Sequence, residues 1–163
     1  MFTMKGRLLS TLTLPLLAGS MWLSSCDKIN LYEKVVPIPQ HQWQTGNKPT
    51  FTFTIQDTAV PYQLYLIVRH NNQYRYNNIW VNLTAKGPSD TLQKFSLELP
   101  LANKEGWLGS GMDDIFEHRI AFTLDPEKFR FSRAGEYTFT LEQIMRDDPL
   151  ENIMNVGIRL EKK

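Results

Sequence analysis

One cysteine and three histidines are the side chains of this chain best suited to covalent or metal chemistry. Cys26 follows Leu23-Ser24-Ser25, and ahead of it stand Lys5, Arg7 and a mostly apolar run from Leu8 to Leu23. A basic start, a short apolar stretch and small residues before the cut make a secretory signal. Pro15, Gly19 and the serines break the run, which is too short for a comfortable membrane span. The Leu-Ser-Ser-Cys ending resembles a lipobox, where cleavage precedes the cysteine and its sulfur carries a diacylglycerol. The chain offers Cys26 no second cysteine to pair with. An unpaired thiol in an exported protein needs a use, and acylation supplies one.

The other candidates assemble less. His41, His70 and His118 show no metal-ligand spacing from one another or from a cysteine, so neither a metal nor a cofactor is expected. Asp113-Asp114 and Asp147-Asp148 read as solvated turns, since calcium bound in an EF-hand loop needs a ligand spacing that this sequence lacks. Gly106-Trp107-Leu108-Gly109-Ser110-Gly111 lacks the Lys-Ser/Thr ending of a phosphate loop and the order of a nucleophile elbow. It reads as a tight loop with Trp107 packed down as a plug. No nucleophile, base and orienting group come together, so no enzyme activity is expected.

The elements that would position these residues follow from hydrophobic periodicity. Residues 1–25 read as the signal peptide and 26–49 as a lipidated N-terminus and tether, interrupted by Pro37, Pro39 and Pro49. Within the tether Trp43 is placed to dock onto the domain. From residue 50 apolar residues alternate: Phe51/Phe53/Ile55, Tyr62/Leu64/Leu66/Val68, Ile79/Val81/Leu83 and Phe95/Leu97/Leu99. Ile120/Phe122/Leu124, Tyr137/Phe139/Leu141 and Met154/Val156/Ile158/Leu160 complete the set. Half-buried strands of antiparallel sheets have this pattern. Residues 50–163 are therefore expected to fold as an all-β, two-sheet antiparallel sandwich of about seven to eight strands, immunoglobulin-like or jelly-roll-like. Short helical turns are expected at 112–117 and 125–129, the latter capped by Asp125 with Pro126 behind it.

Cleavage before Cys26 removes Lys5 and Arg7, leaving 16 Lys and Arg against 17 Asp and Glu, a formal charge of −1. That balance leaves no footprint for nucleic acid. Two or three acyl chains would hold the chain on a membrane effectively permanently.

The aromatic residues of the middle strands are the strongest candidates for recognition. If the strands around Val68 and Trp80 paired as a hairpin, Tyr65, Ile67 and Trp80 would share an outer face beside Tyr74, Tyr76, Arg69 and Arg75. Such a set has the composition of interface anchors. A flat aromatic platform could equally stack sugar rings, so a surface glycan-binding module is the alternative reading.

The same residues carry a family resemblance. Val68-Arg69 followed by Tyr74-Arg75-Tyr76-Asn77-Asn78-Ile79-Trp80 is similar to a block of the GldH family. So are the Gly106–Gly111 segment, Met145-Arg146 and the closing Val156-Gly157-Ile158. The resemblance spans the lipobox to the last strand. It implies a gliding motility lipoprotein of the Bacteroidota, serving envelope machinery tied to type IX secretion, with no assigned catalytic residue. Tyr65, Arg69, Tyr74, Tyr76 and Trp80 are then the partner-binding candidates, and other envelope proteins the partners. Asp57-Thr58-Ala59 and Asp90-Thr91-Leu92 resemble O-glycosylation acceptors of that lineage, at Thr58 and Thr91. The outer membrane is favoured over the inner.

Overall fold

Thr50-Phe51-Thr52-Phe53-Thr54-Ile55 shows in six residues how this domain is built. A strand turns successive side chains to opposite faces; here Phe51, Phe53 and Ile55 are buried and the three threonines are exposed. The computed structural model describes residues 31–89, 92–123, 125 and 128–163. Cys26, the 1–25 segment, Thr91, Leu124 and Pro126 lie outside the described residues.

The strands are, in order, β1 (Leu31–Pro37), β2 (Gln42–Trp43), β3 (Thr50–Ile55), β4 (Tyr62–Asn71), β5 (Asn78–Lys86), β6 (Leu92–Pro100) and β7 (Ala102–Asn103). Then come β8 (Gly106–Trp107), β9 (Ser110–Met112), β10 (Ile115–Ala121), β11 (Gly135–Gln143), β12 (Leu150–Glu151) and β13 (Ile153–Lys162). A larger sheet runs β1-β13-β4-β10-β9 and a smaller one β3-β11-β5-β6, all pairs antiparallel. Two short ribbons, β12-β2 and β7-β8, flank them. No described helix is long and apolar enough to cross a membrane.

The two sheets close over one core. Phe51, Phe53, Phe139, Leu141, Val81 and Leu83 come from the smaller sheet, and Leu64, Leu66, Val68, Val156, Ile158 and Leu160 from the larger. Each such side chain contributes about 1.5–3 kcal/mol by leaving water. The expected antiparallel sandwich is the fold that forms.

Three local expectations are corrected. Residues 31–49 are no loose arm: β1 pairs with β13 from Leu31↔Glu161 to Pro37↔Asn155. Gly157 makes that pairing possible, because a Cβ there would stand 2.6 Å from the Lys34 carbonyl oxygen. Trp43 is fully buried, pairs with Leu150 and donates from Nε1 to the Asn47 carbonyl at 2.8 Å. The segment 112–117 is a hairpin rather than a helical turn, since Asp113 and Asp114 take φ of 52° and 65° and reverse the chain between β9 and β10. Paired positive φ values of this kind suit a tight hairpin loop. Finally, β4 and β5 do not form a hairpin, because each pairs within a different sheet.

Candidate functional site

Because β4 and β5 belong to different sheets, residues 72–77 must carry the chain across one end of the sandwich. That crossing fixes the fate of both tyrosines in it. Tyr74 turns inward and is 4% exposed, so the surface role expected for it is corrected. Its ring lies 5.1 Å from His70 and 5.7 Å from Tyr76, and its hydroxyl donates to the Asn78 carbonyl at 2.9 Å. Burial, with Tyr76 and Asp147 nearby, pushes its pKa well above the ordinary phenol value.

Tyr76 is half-buried and donates to Asp147 Oδ2 at 2.6 Å, the same oxygen that receives Arg75 Nη2 at 2.8 Å. The hydrogen bond to Asp147 raises the Tyr76 pKa. Behind this surface Gln143 is fully buried and serves as a junction. Its Nε2 donates to the carbonyls of Trp43 at 3.3 Å and Asp147 at 3.1 Å, and its Oε1 accepts from the Met145 amide at 2.8 Å. The Trp80 amide meets Met145 Sδ at 3.2 Å, and the Ile144 amide donates to the Trp80 carbonyl at 3.0 Å.

This bracing presents a small surface. Trp80 is 39% exposed and Ile144 37%, with Arg75 and Arg146 exposed beside them. Trp80 stands opposite Glu98 on the outer face of the smaller sheet.

Tyr65 and Arg69 are elsewhere. Both lie on the outer face of the larger sheet, where Tyr65 is opposite Arg159 and Arg69 opposite Glu117. Arg69 pairs with Glu117, which also holds Arg119 at 3.0 Å. Burial would raise the Glu117 pKa, but the two guanidiniums outweigh it and hold the carboxyl low. Tyr65 and Trp80 thus occupy opposite sides of the molecule, and the single five-residue patch does not form. Ile67, read as outward-facing, sits in the same row of the larger sheet between Gly157 and Arg119, yet is fully buried.

The sequence reading passed over one arrangement. His70 and His118 face each other on the inner side of the larger sheet, Nε2 to Nε2 at 2.9 Å, and neither is more than 2% exposed. His70 Nδ1 lies 2.7 Å from the Asn71 carbonyl, which accepts only from a protonated nitrogen. His70 Nε2 is then the acceptor and His118 Nε2–H the donor. Trp107 stands edge-on over His70 at 4.3 Å, and Phe116 lies at 5.7 Å. Burial lowers the pKa of both imidazoles, and repulsion from His70 helps bring His118 to about 4. Gly109 lets its loop lie over His118, since a Cβ there would strike the Glu117 carbonyl and the His118 ring. The signal was parity: His70 continues the Leu64/Leu66/Val68 face, and His118 shares the face of Ile120. Among the described residues no three His, Cys, Asp or Glu side chains gather around a common point. A neutral imidazole pair without a third ligand is a core hydrogen bond.

Thr58 sits in the loop between β3 and β4, where Asp57 Oδ1 accepts from the Ala59 amide at 2.9 Å and Oδ2 from Lys162 at 3.0 Å.

Comparison with known proteins draws these observations together. The profile of the GldH lipoprotein family matches residues 30–160. A gliding motility lipoprotein GldH homolog of Christiangramia forsetii is 31% identical over 147 residues, covering 85% of this chain and 88% of the relative. The gliding motility lipoprotein GldH of Flavobacterium johnsoniae is 30% identical over 156 residues, covering 91% and 94%. Among solved structures, the subviral particle protein VP2 of infectious bursal disease virus aligns with a TM-score of 0.36 at 12% identity. That alignment covers 81% of this chain and 32% of the viral one; a likeness that slight carries no argument.

Proposed function

Because this chain belongs to the GldH family of gliding motility lipoproteins, we propose that it is a non-enzymatic, lipid-anchored component of the envelope machinery for gliding and type IX secretion, acting by protein–protein contact. The observation that carries this reading is the exposed Trp80–Ile144 pair. An aromatic and an aliphatic side chain stand in water, flanked by Arg75 and Arg146, on a backbone braced by Gln143 and Met145. Tryptophan and arginine dominate the binding energy of protein interfaces, and a rigid platform loses little entropy on docking. Of the residues that resemble the family, Tyr74, Tyr76, Asn78, Trp80, Trp107 and Met145 gather at this end of the sandwich, whereas Val156-Gly157-Ile158 lie within β13 of the larger sheet.

In this mechanism Cys26 carries the lipid that confines the domain to the plane of the outer membrane. Confinement raises its effective concentration for neighbours in the same plane. The domain then docks through Trp80, Ile144, Arg75 and Arg146. Tyr74 and Tyr76 act beneath the surface, holding the 72–77 crossing and the Asp147 loop in place. The test is recovery of envelope partners by tagged protein with and without Trp80. Retention on capsule or cell-wall polysaccharide in place of proteins would favour the glycan-binding reading.

A further inference from the structure

The end of the sandwich opposite the Trp80 surface holds an unfilled piece of core. Phe95 pairs with Leu83 and therefore points inward, yet it is 45% exposed while Leu83 is 1% exposed. The reason is topological. In the larger sheet β10 ends at Ala121, so among the described residues no strand continues over this corner of β6. The result is a cleft of about 610 Å³ lined by Leu83, Phe95, Leu97, Phe122, Phe129 and Phe131. Its volume lies within the ~300–1,000 Å³ typical of small-molecule pockets.

The chemistry of the cleft selects its ligand. Its depth is aliphatic and aromatic, whereas Lys128, Arg130, Arg133, Ser132 and Asp125 come from the chain around its mouth. A sugar or a nucleotide would need converging polar groups at depth. A hydrocarbon tail needs none, and Arg130 and Arg133, beside the Lys128–Asp125 ion pair at 2.9 Å, put positive charge at the mouth that suits an acidic head group. Location adds a second constraint. Tyr62 begins β4 at this end, and its amide donates to the Phe129 carbonyl at 2.9 Å. On the same end Lys162 pairs with Tyr62, and Leu31 with the neighbouring Glu161. Cys26 lies five residues before Leu31, so it is within about 17 Å of it. The three strand spacings from β1 to β10 amount to about 14 Å. The cleft and the strand that leads back toward Cys26 therefore share one end of the sandwich.

We propose that this cleft binds one fatty acyl chain of an anionic membrane lipid, tail inward and head group at the Lys128–Arg133 mouth. The proposal rests on the reading of Cys26 as the anchor, which is checked separately by the mass of the N-terminal peptide. For the test, the full-length lipoprotein is reconstituted in phosphatidylcholine vesicles containing diazirine-bearing stearate, illuminated, and mapped by peptide mass spectrometry. Labelling is expected on the 93–97 and 128–133 peptides. It should fall at least tenfold in Leu97→Trp, which fills the cleft, and in Phe95→Asp, which changes a half-exposed side chain and spares the packed core. Leu108→Asp, outside the cleft, should label like wild type. Cys26→Ser that co-floats with the vesicles should also label like wild type. Absence of labelling in folded wild-type protein overturns the proposal. Labelling that appears only in Cys26→Ser also overturns it, because the protein's own anchor would then fill the cleft.

Discussion

His118 donates its Nε2–H to His70 Nε2 across 2.9 Å, joining β10 to β4 from inside the core. Both imidazoles are neutral in the folded protein because burial disfavours their charged forms. In the unfolded chain each would titrate near its ordinary value of about 6.5. The unfolded state therefore binds more protons as pH falls, and stability falls with it from about pH 6.5 down to the His118 value of about 4.

The first prediction follows from that window. His118 alone should remove on the order of 3 kcal/mol by pH 4. Asp57, Glu117 and Glu142, whose carboxyls are held low, withdraw their contributions only below about pH 4.5. Urea unfolding at pH 7.5 and 5.0 should thus show a loss that His118→Phe reduces, the remainder belonging to buried His70. An unchanged loss in that variant would place the acid sensitivity elsewhere.

Gln143→Ala tests the platform from beneath. The change leaves the Trp43 and Asp147 carbonyls and the Met145 amide without their partner. A destabilisation of about 2–3 kcal/mol is expected. Faster amide exchange at Ile144 and Met145 should accompany it. Stability loss without loosening at 144–147 would mean that the loop holds its shape by other contacts.

Gly157→Ala tests the docking of the N-terminal strand. The added methyl would press on the Lys34 carbonyl and on Val35 Cγ2 at 2.8 Å. Overpacking of this kind costs about 1–3 kcal/mol. Hydrogen exchange over 31–37 should rise while exchange in β11 stays unchanged. Equal protection in β1 would show that the strand can shift outward without unpairing.

Much of the fold was legible because alternation reports which face a side chain takes. Phe51/Phe53/Ile55 and Tyr137/Phe139/Leu141 are buried as their spacing requires. Alternation says nothing about which strand lies alongside, and that is where the five-residue patch failed: Tyr65 and Trp80 were each placed on a correct outer face, but of different sheets. β1 escaped notice because Glu33 and Lys34 interrupt its apolar residues and Pro37 closes it, as suits an edge strand. Gln143 and the histidines were passed over for the opposite reason. They are polar residues on an apolar face, and only tertiary partners show how such groups are satisfied.

Affinity purification of tagged full-length protein from its native envelope, with mass spectrometry of what accompanies it, tests the central claim most directly. Wild type and Tyr65→Ala should recover the same gliding or secretion components, because Tyr65 lies on the far sheet. Trp80→Ala, folded and equally abundant, should recover them at least tenfold less. Undiminished recovery with Trp80→Ala would contradict the account and remove the Trp80–Ile144 surface as the site of partner contact.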